Sequence, residues 1–379
     1  MHPIGTLPDE CVNADVSLGP LGAFYSMKVV SVASWGDGQL RLKYFRKLLH
    51  ALQGELRLEA SRGLTRLSKA KLCFSLLMVS LVGCNVPDTR FEGLTLSPDG
   101  TYILAVYSHS ATSSFIYRIP VDTGVAKRVT NVSGGFEGIP SFSPDGKRIA
   151  FSFAEKDEAH SRIILANADG SDPQPLTTTS GADDFFPLFS TDKKTIIFAR
   201  SNPTGHEWNF FASDLNGTNV RQLTNENAYQ VSRASVSPDG KRMMFVNKDI
   251  QHNDVIAVYS LEEPPKLERT LKPHVAGEPG QSILDDASFL ADGKSVLFLA
   301  ASVKGGPYDY DVYRTDVQTQ AIERLTKDNG YAYSLQPSQD GKKAVFVRGA
   351  LSGSGKKSQL SLIDLATGKV SPLSVTGLE

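Results

Sequence analysis

An all-β fold, a β-propeller of six four-stranded antiparallel blades over residues 91–379, is what three features of this sequence predict. A turn of the Ser-Pro-Asp-Gly type recurs six times at nearly constant spacing. An apolar, partly β-branched run of strand length follows every turn. Two further short strands, separated by a polar turn and free of helical pattern, complete each repeat.

The turns set the period. Their aspartates are Asp99, Asp145, Asp192, Asp239, Asp292 and Asp340, at successive spacings of 46, 47, 47, 53 and 48 residues. A period of about 45 is that of a propeller blade. In Ser-Pro-Asp-Gly, proline fixes φ at the second turn position, aspartate hydrogen-bonds its own backbone and glycine accepts positive φ, so two strands reverse tightly.

The runs after the turns, such as residues 148–153 (RIAFSF) and 295–299 (SVLFL), have the composition of strands pressed between neighbouring sheets and are read as core. Third strands follow at residues 115–118, 162–165, 209–212, 255–258, 311–314 and 360–363. The fourth strand is short and often ends in Leu-Thr or Val-Thr, as at Val129-Thr130, Leu223-Thr224 and Leu325-Thr326. A solenoid is the structural alternative, but antiparallel four-strand units favour radial closure, which leaves no end unit exposed.

The Ser-Pro-Asp-Gly turn followed by a Lys/Arg-Ile-x-Phe strand resembles the WD40-like PD40 repeats of the TolB propeller family. The resemblance runs from Phe91 to the C-terminus and implies a six-bladed propeller. Proteins of that family carry a sizeable α/β domain before the propeller, whereas here residues 85–90 alone lie between Cys84 and the first repeat. Interactions belonging to that domain are therefore not carried over.

Upstream, residues 66–84 (RLSKAKLCFSLLMVSLVGC) place Arg66, Lys69 and Lys71 before an apolar run ending at Val82. That order is a secretory signal peptide. The run is shorter than the roughly 20 residues a spanning helix needs. It ends in Leu81-Val82-Gly83-Cys84, which resembles the bacterial lipobox, so Cys84 is the expected lipidation site and mature N-terminus. The domain reading is then an extension over residues 1–63 that is disordered or lies before the true start, a signal peptide over 64–83, a lipidated linker over 84–90 and the propeller over 91–379. Translation starting near Leu64 gives the signal peptide an ordinary basic leader. Helical periodicity over residues 43–58 predicts a helix there.

Composition narrows the function classes. Forty basic against 41 acidic residues give a formal charge of −1, so no long-range field favours nucleic acid. The three cysteines are Cys11, Cys73 and Cys84, and with none in residues 85–379 the propeller depends on packing rather than disulfides.

Propellers bind ligands where the loops into the inner strands converge. Residues just before those strands include Glu92, Asp184, Arg233, Asp285, Asp286 and Tyr333, a largely acidic mouth suited to a basic or hydrogen-bonding segment of a partner. Ordinary solvated loop charges are the bland alternative. Four histidines, His109, His160, His206 and His252, fall in corresponding loops before the third strand and form the runner-up metal set. Their uneven offsets from the turn aspartates favour separate surface histidines instead. No G-x-S-x-G elbow appears, and the repeats run to Glu379, against a hydrolase. Residues 350–357 (ALSGSGKK) lack the first glycine and the Ser/Thr of a phosphate loop, and they sit between strands.

The expectation is a non-catalytic protein-binding or scaffolding module, monomeric and without cofactor. It is held by lipid on the periplasmic face of an inner or outer bacterial membrane and presents loops to an envelope protein or peptide. The competing class is a propeller enzyme, a metal-dependent lyase on polysaccharide fragments or a hydrolase relative, and a third is glycan sensing in the central channel.

Overall fold

The computed structural model describes residues 11–14, 29–32, 87–88, 91–110, 113–130, 132, 135–155, 160–178, 181–202, 207–225, 232–249, 253–273, 282–302, 310–327, 330–351 and 358–378. Two parts separate, Met1–Val86 and Pro87–Glu379. In the first, Cys11–Ala14 and Val29–Val32 form an antiparallel pair within the stretch expected to be unstructured. The signal peptide, Cys84 and the helix expected over residues 43–58 lie outside the described residues. Among the described residues no helix is long and apolar enough to cross a membrane.

The second part is all-β, a propeller of four-stranded blades. The third to sixth repeats each form a separate antiparallel sheet whose strands follow in chain order, with inner strands Asp184–Phe189, Ser235–Val236, Ser282–Phe289 and Ala332–Pro337. Six separate sheets do not form, because the first two repeats share one nine-stranded sheet. The physical cause is local. The inner strand of the second repeat is broken into Gly135–Glu137 and Ser141–Phe142, both paired with Arg148–Glu155. The detached piece touches the first repeat through a Ser114↔Phe136 bridge. Glu137, 1% exposed, completes the stitch by accepting from the backbone N–H of Ile116 at 2.7 Å and from the Thr130 hydroxyl. Burial raises its carboxyl pKa, against the pull of those donors.

Second strands are buried on both faces, as the apolar runs require: Ile149, Ala150 and Phe151 are fully enclosed, as are Val296, Leu297 and Phe298. The core is divided into clusters seated between successive repeats. Phe210 and Phe245 meet between the third and fourth, and Leu299 and Phe346 between the fifth and sixth. Phe91, Leu94 and Tyr117 of the first repeat share a cluster with Val345, Val347 and Leu373 of the sixth. Beside that cluster Thr376 bridges in parallel to Val125, and its carbonyl accepts from Ala126 N–H at 2.7 Å. On the other side of the junction, Pro87–Asp88 pairs with Ala350–Leu351.

The turns explain their own motif. The serine hydroxyl donates to the aspartate at 2.6 Å in Ser97–Asp99 and Ser143–Asp145, and the same carboxylates accept the backbone N–H of Thr101 and Lys147 at 3.1 Å. These hydrogen bonds hold the turn carboxyls below the ordinary aspartate pKa. In the fifth repeat Leu290 replaces the serine, and Asp292 is held instead by Ser295, whose hydroxyl donates at 2.6 Å. Glycine supplies the left-handed residue in five turns, from Gly100 (φ 69°) to Gly341 (φ 67°), while in the third Lys193 adopts φ 62°.

The recurrent terminal threonine also acquires a reason. Fourth strands are two residues long in several repeats, too short to satisfy the third strand, and the threonine hydroxyl takes the next N–H. Thr177, Thr224 and Thr326 accept from Ile163, Phe210 and Val312 at 3.0, 2.9 and 3.0 Å.

Candidate functional site

Six residues before each turn aspartate stand Gly93, Ile139, Phe186, Arg233, Asp286 and Ser334. Around this position the inner ladders slip, between Phe91 and Gly93, Phe185 and Leu188, Asp285 and Ala287, and Tyr333 and Gln336. Phe186, Asp286 and Ser334 take φ of 53°, 22° and 58°. A bulge of this kind re-aims side chains that strict alternation sends into the sheet interface. Here it turns neighbouring residues toward one cavity of about 500 Å³, lined by Ile139, Phe186, Arg233, Asp286 and Ser334, with Glu92, Asp285 and Tyr333 one position earlier. Gly93 is small by necessity, since a Cβ there meets Ile139 Cγ1 at 2.4 Å.

Five of the six mouth residues read from the sequence, Glu92, Arg233, Asp285, Asp286 and Tyr333, line this cavity. Asp184 does not. It lies one residue further from the bulge, is fully buried, and receives Arg200 Nε and Nη2 at 2.7 and 2.9 Å as a bidentate pair inside the third sheet. Ile139, Phe186 and Ser334 carry no charge to mark them in the sequence, and their shared offset from the turn aspartate is the one signal they give.

Arg233 is 6% exposed and donates from Nη2 to the carbonyl of Leu94, in the first repeat, at 2.7 Å. Its Nε has no acceptor among the described residues. Burial lowers its pKa, opposed by the charges of Asp286 and Asp285. Asp285 is pushed up to about 7, first by burial and then by the adjacent Asp286, although it accepts Asp286 N–H at 2.8 Å. Burial likewise raises Asp286, with Arg233 pulling the other way. Glu92 opens onto the cavity but is flanked by protein, so desolvation raises its pKa, partly offset by the Ser108 hydroxyl it accepts. Tyr331 stands between Tyr310 and Tyr333 at ring distances of 5.9 and 5.2 Å.

The cavity thus combines a buried guanidinium with a spare donor, the Asp285 carboxyl, able to donate as well as accept near neutral pH, and flat aromatic walls. A chain of amide groups, which offers both N–H and C=O, matches that set.

Of the four histidines, His109 and His160 are among the described residues, and each has its own partner. His109 is exposed with Nε2 2.7 Å from the Tyr117 hydroxyl, and His160 Nδ1 lies 3.7 Å from Asp183 Oδ2. His206 and His252 fall outside the described residues. Among the described residues no group of three His, Cys, Asp or Glu side chains is arranged to hold a metal ion.

Comparison with known proteins follows the same lines. Residues 94–271 match the TolB beta propeller domain, PD40. The Tol-Pal system protein TolB of Francisella tularensis subsp. mediasiatica (strain FSC147) is 35% identical over 154 residues, which is 40% of this chain and 34% of that protein. The chain therefore spans about a third of the length of the curated relatives it matches. Among solved structures, TolB from Acinetobacter baumannii superposes with a TM-score of 0.55 at 20% identity, over 75% of this chain and 64% of that one. An oligogalacturonate lyase from Vibrio parahaemolyticus reaches 0.50 at 13% identity, over 76% and 77%, and likeness at this level speaks for the fold alone. The chain carries a TolB-like β-propeller.

Proposed function

We propose that the protein is a lipid-anchored propeller of the bacterial cell envelope that holds a protein or peptide partner in its central cavity without chemistry of its own. Residues 64–83 act as the signal peptide, Cys84 carries the lipid, residues 84–90 are the linker and residues 91–379 form the propeller. The nine-stranded sheet counts as two blades, which makes six. The observation that carries the reading is the convergence of Glu92, Arg233, Asp285, Asp286 and Tyr333 on one cavity rich in hydrogen-bonding groups. The likeness to the Tol-Pal protein TolB supports a partner within such an envelope system, on the periplasmic side of the membrane.

The test places a photo-crosslinking amino acid at Tyr331 in living cells. A discrete adduct that disappears in the Asp285→Ala and Glu92→Ala variants is expected. Adducts formed only from the turn end, at Lys147 or Lys241, overturn the assignment. Stoichiometric metal in the purified protein, lost on replacing His160 and His206 together, replaces scaffold by enzyme. Cys84→Ser is expected to release the protein from the membrane fraction or leave it unprocessed, and unchanged membrane association removes the anchor.

A further inference from the structure

We infer that the propeller stands with its cavity end toward the membrane that anchors it, an orientation that rests on the lipid anchor proposed at Cys84. The first observation is the exit of the tether. Pro87–Asp88 pairs with Ala350–Leu351. Ala350 lies two residues beyond Arg348, which pairs with Ala332 on one side and Gln359 on the other at the cavity end of the sixth sheet. Gly349 N–H donates to the carbonyl of Tyr331, a cavity residue, at 2.8 Å. The chain therefore leaves the propeller at the cavity end. Only Asn85 and Val86 separate Pro87 from Cys84, and three residue steps reach at most about 11 Å. A lipid on so short a lead holds that end, not the opposite one, at the bilayer surface.

The second observation is the chemistry of the two ends. At the cavity end, partly exposed Phe185 and Trp208 pack at 5.7 Å and partly exposed Tyr310 and Tyr331 at 5.9 Å. Phe185 and Trp208 sit beside Ala199 and Ser201, the last residues of their neighbouring strand. The opposite end carries the turns, where Asp99, Asp145, Lys147 and Lys241 are exposed. Tyrosine and tryptophan rings partition to the headgroup region, although exposed Glu92 and Lys248 share this end with them. The tether and the aromatic rings point to the same end.

Hydrogen–deuterium exchange on the full chain reads the orientation, comparing native lipoprotein in phosphatidylethanolamine/phosphatidylglycerol liposomes with the Cys84→Ser protein in solution. Several-fold slower exchange confined to residues 107–110, 207–211 and 330–333, with residues 97–101, 143–147 and 237–241 unchanged, is the expected result. Trp208→Ser combined with Tyr331→Ser is expected to reduce that protection while lipid attachment stays intact. Protection on the turn segments, or none at either end in an acylated protein, overturns the orientation alone. Mass spectrometry showing no acyl group on Cys84 overturns the anchor and the orientation built on it.

Discussion

Arg233 of the fourth repeat and Leu94 of the first are joined across the cavity by a 2.7 Å hydrogen bond from guanidinium Nη2 to the backbone carbonyl. Their inner strands belong to different sheets, so the bond braces sheets that share no ladder. Replacing Arg233 with alanine leaves the Leu94 carbonyl without this donor and the neighbouring carboxyls without their counter-charge. The expected loss is roughly 3–5 kcal/mol, the usual cost of breaking one side of a buried charged contact. Urea denaturation measures it, and a loss within surface-mutation range removes the brace from the account.

Asp285 makes stability depend on pH in a definite direction. Its carboxyl titrates near 7 in the folded chain against an ordinary value of 3.8, so the folded state binds the extra proton between those limits. Stability from this group is complete below the unfolded value and declines as pH rises through the folded one. Asp285→Asn should leave the unfolding free energy in urea nearly unchanged at pH 4 and raise it at pH 8 by an amount on the order of a few kcal/mol. A variant equally stabilised at both pH values contradicts the assignment. The turn aspartates act in the other direction and in a lower window, because their folded pKa values are depressed and their contribution disappears only as pH falls below the ordinary aspartate range.

Lys193 occupies the left-handed position that glycine fills in the other Ser-Pro-Asp-Gly-type turns. Its ammonium lies 3.6 Å from Asp145, a half-exposed contact of little weight. Lys193→Gly is therefore expected to stabilise the protein by about 1 kcal/mol through relief of backbone strain. Thermal unfolding checks the sign, and destabilisation gives the ion pair more importance than its exposure warrants.

The threonine latch is tested by Thr224→Val, which preserves shape and deletes the acceptor for Phe210 N–H. Thr224 is 4% exposed, so water does not replace the lost partner freely. A cost of about 1–3 kcal/mol is expected. Faster amide exchange at Phe210 should accompany it, and an unchanged Phe210 amide excludes the latch.

How much of this was legible in the sequence depended on chemistry that repeats. Proline, aspartate and glycine at fixed offsets announced the turns, and through them the position of every inner strand. The cavity residues followed where they carried charge, and Asp184 shows the limit of that signal. Strand residues alternate between faces, so a shift of one position relative to a bulge decides whether a carboxylate meets the cavity or an arginine inside the sheet. The slips at Asp285 and Tyr333 are properties of the folded ladder, not of residue type. The fusion of the first two repeats was hidden for the same reason. It depends on Glu137 finding Ile116 and Thr130 in the first repeat, contacts that no local pattern encodes.

The shared cluster of Phe91 and Leu373 imposes a timetable on the chain. The first repeat cannot cover its outer apolar flank until the last strand has been synthesised. A polypeptide still emerging from the ribosome therefore keeps that flank bare. Under the export proposed from residues 64–83, that delay keeps the chain open until it has left the ribosome. Completion of the circle, with Thr376 seated on Val125, is the last event available to the chain.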